Sequence, residues 1–380
     1  PIEFPEVAEE ENGSEHTIDF DIILGNPPYG DLLNDNEQMF VSTYNTSAIS
    51  EIAAQFVERQ LQLLADDGYF GNVTTLRLVF QSNYGEFQDL LRENLSPTRI
   101  ACFGLRGRTG VFDNALIRVG VLSGQKAGEE DGEIFTSDLI LFTDDNRPQR
   151  VKNINLSSTE DLVLRDTIGG SGNRGPIVPK VGPHVKRELL TILQDQSSTL
   201  MEDRFERTKP NSKDNPVILS ESGGYWMNPM MSALTDKAGH RYLYFESELD
   251  QKTAFLIYSS SLYYSYWITY GDQRHHTLTE MSVFPWPSVD PKEYEEEIDK
   301  LADTLWERMK NVHTGNSFQM SSLRPIIDDV DRLVGRLYGL DAQQIEYSMS
   351  YHTDIGEQSG REGDPNVDLN YDSMFEEATQ

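Results

Sequence analysis

Cysteine is almost missing from the 380 residues: Cys102 stands alone, so no intrachain disulfide can form and no oxidising compartment is called for. Within Ile100-Ala101-Cys102-Phe103 it reads as a small buried side chain. Basic charge is scarce as well. Lys and Arg total 32 against 63 Asp and Glu, a formal net charge of −31. Phosphate backbones are bound largely by basic side chains that release counterions, so this balance speaks at first against nucleic acid. The acidic residues, however, occur in every segment, and Arg outnumbers Lys roughly two to one. A dispersed acidic surface poor in Lys keeps a protein soluble in molar salt, where repulsion is screened within ~3 Å. A halophilic source is the expectation; an ordinary acidic protein that avoids polyanions is the other reading. Long apolar runs are lacking too. The most apolar stretch, residues 254–270, is interrupted by serines and threonines and predicts one buried helix rather than a membrane span. Residues 1–11 are acidic and have no apolar signal-peptide core, so no membrane partner and a cytoplasmic location are expected. His275-His276 lack Cys or carboxylates at ligand spacing, and no metal is expected there.

What is present alternates strands with helices. Phe20-Asp21-Ile22-Ile23-Leu24-Gly25 is a β-type apolar run stopped by Asn26-Pro27-Pro28, the pattern of a buried strand with a hard terminator. Ile49, Ile52, Ala53, Phe56, Val57, Leu61 and Leu64 predict a helix within 47–65, ended by Asp66-Asp67-Gly68 before a strand at 69–73. A second helix at 84–95, closed by Ser96-Pro97, precedes strands at 99–103 and 116–122. This rhythm predicts an α/β layered sheet. Beyond about Thr143 it gives way to charged turns, a Gly-rich stretch at 169–175, and helices at 292–309 and 323–338; after about Tyr351 the chain is polar and reads as disordered. No internal repeat is found.

Asn26-Pro27-Pro28-Tyr29 follows a buried strand, where open α/β sheets place ligands. It can be a Pro-Pro turn with a surface tyrosine. The tetrapeptide also resembles the catalytic motif of S-adenosylmethionine-dependent amino-methyltransferases, and the residue types suit that chemistry. An exocyclic amine conjugated to a purine is a poor nucleophile because its lone pair is delocalised. Carbonyl oxygens of Asn26 and Pro27, each accepting one amine hydrogen, would draw the nitrogen toward tetrahedral geometry and stabilise positive charge developing in the transition state. Pro28 stiffens the loop, and Tyr29 offers a face on which an extruded base can stack.

Further segments resemble type IIG restriction–modification enzymes in order along the chain. Leu64-Ala65-Asp66-Asp67-Gly68-Tyr69-Phe70-Gly71-Asn72-Val73 is similar to the helix end, turn and strand that follow the catalytic loop. Gly110-Val111-Phe112-Asp113-Asn114-Ala115 is similar to a later motif whose aromatic residue walls the base pocket; the match would make Phe112 that wall, and an ordinary core phenylalanine is the alternative. Gly223-Gly224-Tyr225-Trp226, the aromatic run at 254–267, the polar loop at 271–276 and Val283-Phe284-Pro285-Trp286-Pro287 resemble the target-recognition region, and 328–339 its closing helix. Gln273, Arg274 and His275 carry groups able to hydrogen-bond base edges. Arg106, Arg108, Arg118, Lys180, Lys186 and Arg187, with Arg204, Arg207, Lys209 and Lys213, are candidate phosphate contacts or solvated surface charges.

The resemblance implies a partial Rossmann-like methyltransferase sheet followed by an α+β target-recognition domain and C-terminal helices. The expected division is an acidic leader (1–16), the C-terminal half of a catalytic domain (17–143), a target-recognition domain (144–290), a helical segment (291–350) and an acidic tail (351–380). It also implies double-stranded DNA as partner, adenine N6 as the methylated atom and S-adenosylmethionine as cofactor. The family's Gly-rich cofactor loop lies upstream of the catalytic motif, and nothing before Phe20 supplies it. With Pro1 in place of a starting Met, the chain reads as a fragment whose N-terminal half, covalent or separate, completes cofactor site and sheet. Without that half, 20–25 would leave an apolar edge exposed. A non-catalytic DNA specificity fragment, or an enzyme acting on a protein or RNA amine, are the other readings.

Overall fold

β-Branched and aromatic side chains make the first apolar run extended, and it forms strand β1 (Phe20–Gly25). The computed structural model describes residues 19–105, 111–112, 117–128, 132–141, 147–165, 176–210, 215–221, 227–234, 239–272, 275–314, 317–318 and 320–354. The chain divides into two compact units, 1–187 and 188–380.

In the first unit β1 is followed by α1 (Asp35–Val41), α2 (Ile52–Gln62), β2 (Leu64–Thr75), α3 (Leu76–Phe80), α4 (Gly85–Asn94), β3 (Thr98–Phe103), β4 (Val119–Gln125), β5 (Ile134–Ile140), α5 (Arg147–Lys152) and β6 (Ser157–Ser158). A short pair, β7 (Leu164–Arg165) and β8 (Pro176–Ile177), lies beyond. Six strands make a mixed sheet in the order β1-β2-β4-β3-β5-β6. β1 runs parallel to β2, and β3 parallel to β5; the remaining pairs are antiparallel. The fold class is therefore mixed α/β. The strand expected at 116–122 lies instead at Val119–Gln125. Its C-terminal residues, Ser123 to Gln125, are polar or glycine, but they pair with Gly71 to Tyr69 of β2. A side chain at Gly124 would sit 3.1 Å from both Leu95 Cβ and the Pro97 carbonyl. Tertiary pairing, not local propensity, sets this strand's end.

Register assigns the faces. Ile23 pairs with Phe70 and Gly25 with Asn72 on the face covered by α2, whose Ala53, Ala54, Val57 and Leu61 are buried. Ile22 pairs with Tyr69 and Leu24 with Gly71 on the other face. Farther along that face, Phe103, Val119 and Ile140 form a buried cluster with Val73, Ala101, Phe112 and Val121 against it. Toward β1 this cover ends: Ile22 is 63% exposed, Leu24 79% and Tyr69 58%. Among the described residues β1 is also the terminal strand of the sheet.

The second unit begins within α6 (His184–Asp195) and continues with a three-stranded antiparallel sheet of β9 (Phe205–Glu206), β10 (Pro216–Ser220) and β11 (His240–Phe245). Then come α7 (Glu248–Ser259), α8 (Ser261–Tyr270), α9 (Leu278–Val283), α10 (Glu295–Asn311), the hairpin β12 (His313–Thr314) and β13 (Ser317–Phe318), α11 (Arg324–Leu337) and α12 (Ala342–Asp354). The single helix expected at 254–270 is two. Ser260 is extended (φ −78°, ψ 154°) and its hydroxyl caps α8 by accepting from the Tyr263 amide. Asp331 of α11 takes the Ser261 amide and hydroxyl, each at 2.7 Å. The disordered reading after Tyr351 meets helix through Asp354; residues 355–380 lie outside the described residues, as do the leader 1–16, the Gly-rich stretch 169–175 and Gly223 to Trp226. Among the described residues no helix is long and apolar enough to cross a membrane.

Candidate active site

The loop leaving β1 is held at both ends. Gly25 closes the strand where a side chain would lie 2.6 Å from Gln60 Nε2 and 2.9 Å from Asn72 Oδ1, so a larger residue would displace the part-buried Asn72–Gln60 amide pair beside it. Asn26 is exposed, Pro27 buried, Pro28 exposed and Tyr29 half-buried. The Tyr29 hydroxyl lies 2.5 Å from Asn26 Oδ1 and 3.0 Å from the Val73 carbonyl of β2. Burial, and next the nearby charge of Glu51, push the Tyr29 phenol up from its ordinary range, so it stays a protonated donor.

Gly30 then adopts φ +106°, a conformation that disfavours any Cβ. Its amide donates to Glu51 Oε1, and its carbonyl accepts from the Ile52 amide at 3.1 Å. Glu51 is wholly buried. Its other oxygen accepts from Arg77 Nε at 2.9 Å, from Arg77 Nη2 and from Thr75 Oγ1 at 3.4 Å. Glu58, seven residues on, accepts from the Asn45 and Thr46 amides at 2.8 and 2.9 Å, and from Thr46 Oγ1 at 2.7 Å. Gln55 donates to the carbonyls of Thr46 and Ile49 at 2.6 and 2.8 Å. Sequence reasoning missed all three. Their signal was available: Glu51, Gln55 and Glu58 follow the same helical spacing as the apolar stripe, and polar residues on a buried stripe need partners.

Phe112 is half-buried against Phe103, Val119 and Ile140. Val73 links it to the loop: the valine side chain belongs to that same cluster, while its carbonyl accepts from Tyr29. Phe112 and Val73 thus both border the Phe103, Val119 and Ile140 cluster, and Val73 also accepts from Tyr29. Arg118 is half-buried, and its carbonyl accepts from the Leu76 amide at 3.0 Å.

Two expected phosphate contacts need correction. Lys180 and Lys186 are buried. The Lys186 ammonium donates to Asp138 Oδ1 at 2.6 Å and to the Lys180 carbonyl at 3.0 Å, while the Lys180 ammonium lies 4.4 Å from the Phe80 ring centroid. Burial lowers the Lys186 pKa, opposed by the Asp138 charge. An ammonium enclosed this way reaches no phosphate. Arg187 is half-buried and donates to the carbonyls of Ser158 and Glu160, both at 3.3 Å. Cys102 is buried as expected, and burial pushes its thiol up to about 12.

In the second unit His275 is exposed, with its amide and Nδ1 each 2.6 Å from an Asp272 carboxylate oxygen. His276 turns inward, 2.6 Å from the Tyr263 hydroxyl. Arg204 lies over the Trp286 ring at 5.1 Å, and Arg207 pairs with Glu202 at 3.6 Å. Arg106, Arg108, Gln273, Arg274 and Lys213 lie outside the described residues. Among the described residues no group of three or more His, Cys, Asp or Glu is placed to hold a metal ion.

No curated protein matches this chain. Solved structures to which it is similar include three restriction–modification proteins. The type IIL restriction-modification enzyme MmeI in complex with DNA is 13% identical, with a TM-score of 0.47, over 88% of this chain and 57% of that one. The type IIG restriction endonuclease BpuSI is 11% identical, with a TM-score of 0.32, over 88% and 53%. The type I restriction-modification methyltransferase subunit from Streptococcus thermophilus is 17% identical, with a TM-score of 0.29, over 41% and 38%. The chain therefore spans well under two thirds of each solved chain. Residues 2–106, which carry the Asn26–Tyr29 loop, β2 and the Glu51 clamp, match the family of Eco57I restriction-modification methylases.

Proposed function

We propose that this chain is the catalytic-motif and target-recognition portion of a site-specific DNA adenine-N6 methyltransferase from a restriction–modification system. One observation carries the reading: Asn26-Pro27-Pro28-Tyr29 stands at the C-terminal end of β1 with Asn26 exposed and its Oδ1 already accepting from a hydroxyl donor. An oxygen presented in this way can take an N–H of an extruded adenine amine, with the Pro27 carbonyl as second acceptor. Two such acceptors stabilise the positive charge that develops as nitrogen attacks carbon. Tyr29 and Phe112 flank the base, while the exposed His275, together with Gln273 and Arg274, belongs to target recognition; Arg106, Arg108, Arg118 and Arg187 serve the DNA backbone.

S-adenosylmethionine, when bound, supplies the electrophilic methyl group. Beside the loop, Asn72 and Gln60 bond to each other and Glu51 to the Gly30 amide, so these side chains are already engaged within the chain. The remaining cofactor residues belong, on this reading, to an N-terminal half seated against the open β1 edge, where Ile22, Leu24 and Tyr69 stand exposed. Fully burying an aliphatic side chain of this size contributes about 1.5–3 kcal/mol.

The test joins the chain to its upstream coding sequence and measures methyl transfer to double-stranded DNA in molar KCl, mapping N6-methyladenine. Site-specific methylation is expected, falling at least ~10²-fold in Asn26→Ala, the scale set by removing one transition-state hydrogen bond. Undiminished methylation in that variant, or methyl transfer only to a protein or RNA amine, overturns the reading.

A further inference from the structure

The buried carboxylate of Glu51 touches the loop without belonging to the tetrapeptide. We propose that Glu51 is a positioning residue for the Asn26–Tyr29 loop, and that Arg77 fixes which way its carboxylate faces. This rests on the methyl-transfer reading of Asn26.

The clamp has a specific geometry. One carboxylate oxygen takes the Gly30 amide, and the other takes two guanidinium donors and the Thr75 hydroxyl. Gly30 is the residue after Tyr29 and has both backbone groups engaged, its carbonyl by the Ile52 amide. The clamp therefore fixes the trailing end of the loop while β1 fixes the leading end. Pro27 and Pro28 between them have φ restricted by their rings, so a small rotation at Gly30 is passed on to the Asn26 and Pro27 carbonyls. Hydrogen-bond catalysis of this kind needs acceptors held within about 0.5 Å of the productive geometry.

A charged residue suits the position because the site needs an acceptor on both sides. An ionised carboxylate has only acceptors, so it can serve Gly30 and Arg77 together. A glutamine cannot: one of its ends is an NH₂, which would face either the Gly30 amide or the Arg77 guanidinium, donor against donor. Arg77 is half-exposed and stands 5.8 Å from the Tyr84 ring centroid, which limits its freedom to move aside. An aspartate would keep the charge beside Arg77 but, one methylene shorter, would withdraw from Gly30.

These differences give signatures that mere stabilisation would not. In the enzyme completed with its upstream half, Glu51→Gln is expected to lower kcat ten- to a hundredfold with KM for DNA changed less than twofold. Glu51→Asp is expected to show a similar kcat loss with the fold intact. Glu51→Gln/Arg77→Met should recover most of the loss, because the amide can then turn its oxygen to Gly30 without opposing the guanidinium. On the 380-residue chain alone, amide exchange at Gly30 should accelerate at least tenfold in both single Glu51 variants and slow again in the double. Exchange at Thr46, held by Glu58, should not change. Wild-type kcat and unchanged Gly30 exchange in Glu51→Asp, or a double variant no better than Glu51→Gln, overturn the proposal. Asn26→Ala in the same assay separates the two ideas. If it keeps full rate, the methyl-transfer reading falls and with it the catalytic role of Glu51; if it is inactive while Glu51→Asp is normal, only the positioning role falls.

Discussion

In the unit formed by residues 188–380, Tyr258, Tyr263, Trp267, Phe284 and Tyr338 lie inside, with neighbouring ring centroids 4.8–5.6 Å apart for Tyr258–Tyr263, Tyr263–Phe284 and Phe284–Tyr338. Their polar tips are matched: Tyr258 donates to the Met281 carbonyl, Tyr338 to the Pro285 carbonyl and Trp267 Nε1 to the His275 carbonyl. In the unit formed by residues 1–187, by contrast, Ile22, Leu24, Tyr69 and Phe40 stand in solvent. There the buried interior next to the loop is polar, built on Glu51, Gln55, Glu58 and Asn72. The second unit buries a dense aromatic cluster; in the first, among the described residues, one face is exposed near β1 and buried hydrogen bonds hold a loop. Exposed apolar patches and sheet edges are the kind of surface that proteins commonly cover.

Truncation offers the strongest test of this contrast. Phe284→Ala should lower the unfolding free energy by about 3–5 kcal/mol, read from the denaturant midpoint of the second unit; a loss below about 1 kcal/mol would mean that the aromatic cluster is not tightly packed. An intermediate effect concerns pH. Burial lowers the His276 pKa from 6.5 to about 3, the ring's hydrogen bond to the Ser220 backbone opposing it. The unfolded chain therefore takes a proton below about 6.5 that the folded one refuses until about 3. Its stabilising contribution is complete above pH 6.5 and is lost as pH falls toward 3, at about 1.4 kcal/mol per pH unit. Replacing His276 with Gln should flatten the stability profile between pH 6 and 4; an unaltered slope would assign the acid sensitivity elsewhere. The smallest effect belongs to the open edge. Ile22→Ser and Leu24→Ser should each change the stability of this chain by under about 0.5 kcal/mol, yet weaken its association with the proposed N-terminal half. A large loss of stability in the chain alone would show that these side chains already have a cover.

Much of the first unit was legible because its signals are local. Phe20–Gly25, Gly85–Asn94 and Thr98–Phe103 follow from apolar periodicity bounded by Asn-Pro-Pro and Ser-Pro. The position of Asn26-Pro27-Pro28-Tyr29 just after a strand was legible for the same reason, being contiguous. The split of 254–270 at Ser260 was not, since it depends on Asp331 seventy residues away. Nor was the burial of Lys180 and Lys186, which needs Phe80 and Asp138 brought in from other strands and helices. The Glu51 clamp joins residues 30, 51, 75 and 77, and only the folded chain puts them together.

The Tyr29 hydroxyl carries one hydrogen and has two oxygens in reach, Asn26 Oδ1 and the Val73 carbonyl. A single proton satisfies one of them at a time. When another donor arrives at Asn26, the phenol need only swing its hydrogen to Val73, and no donor is stranded in the half-buried loop. On the proposed methyl-transfer reading the tyrosine is an understudy: it would hold the amine's place at Asn26 and step aside by a torsion rather than by moving the backbone.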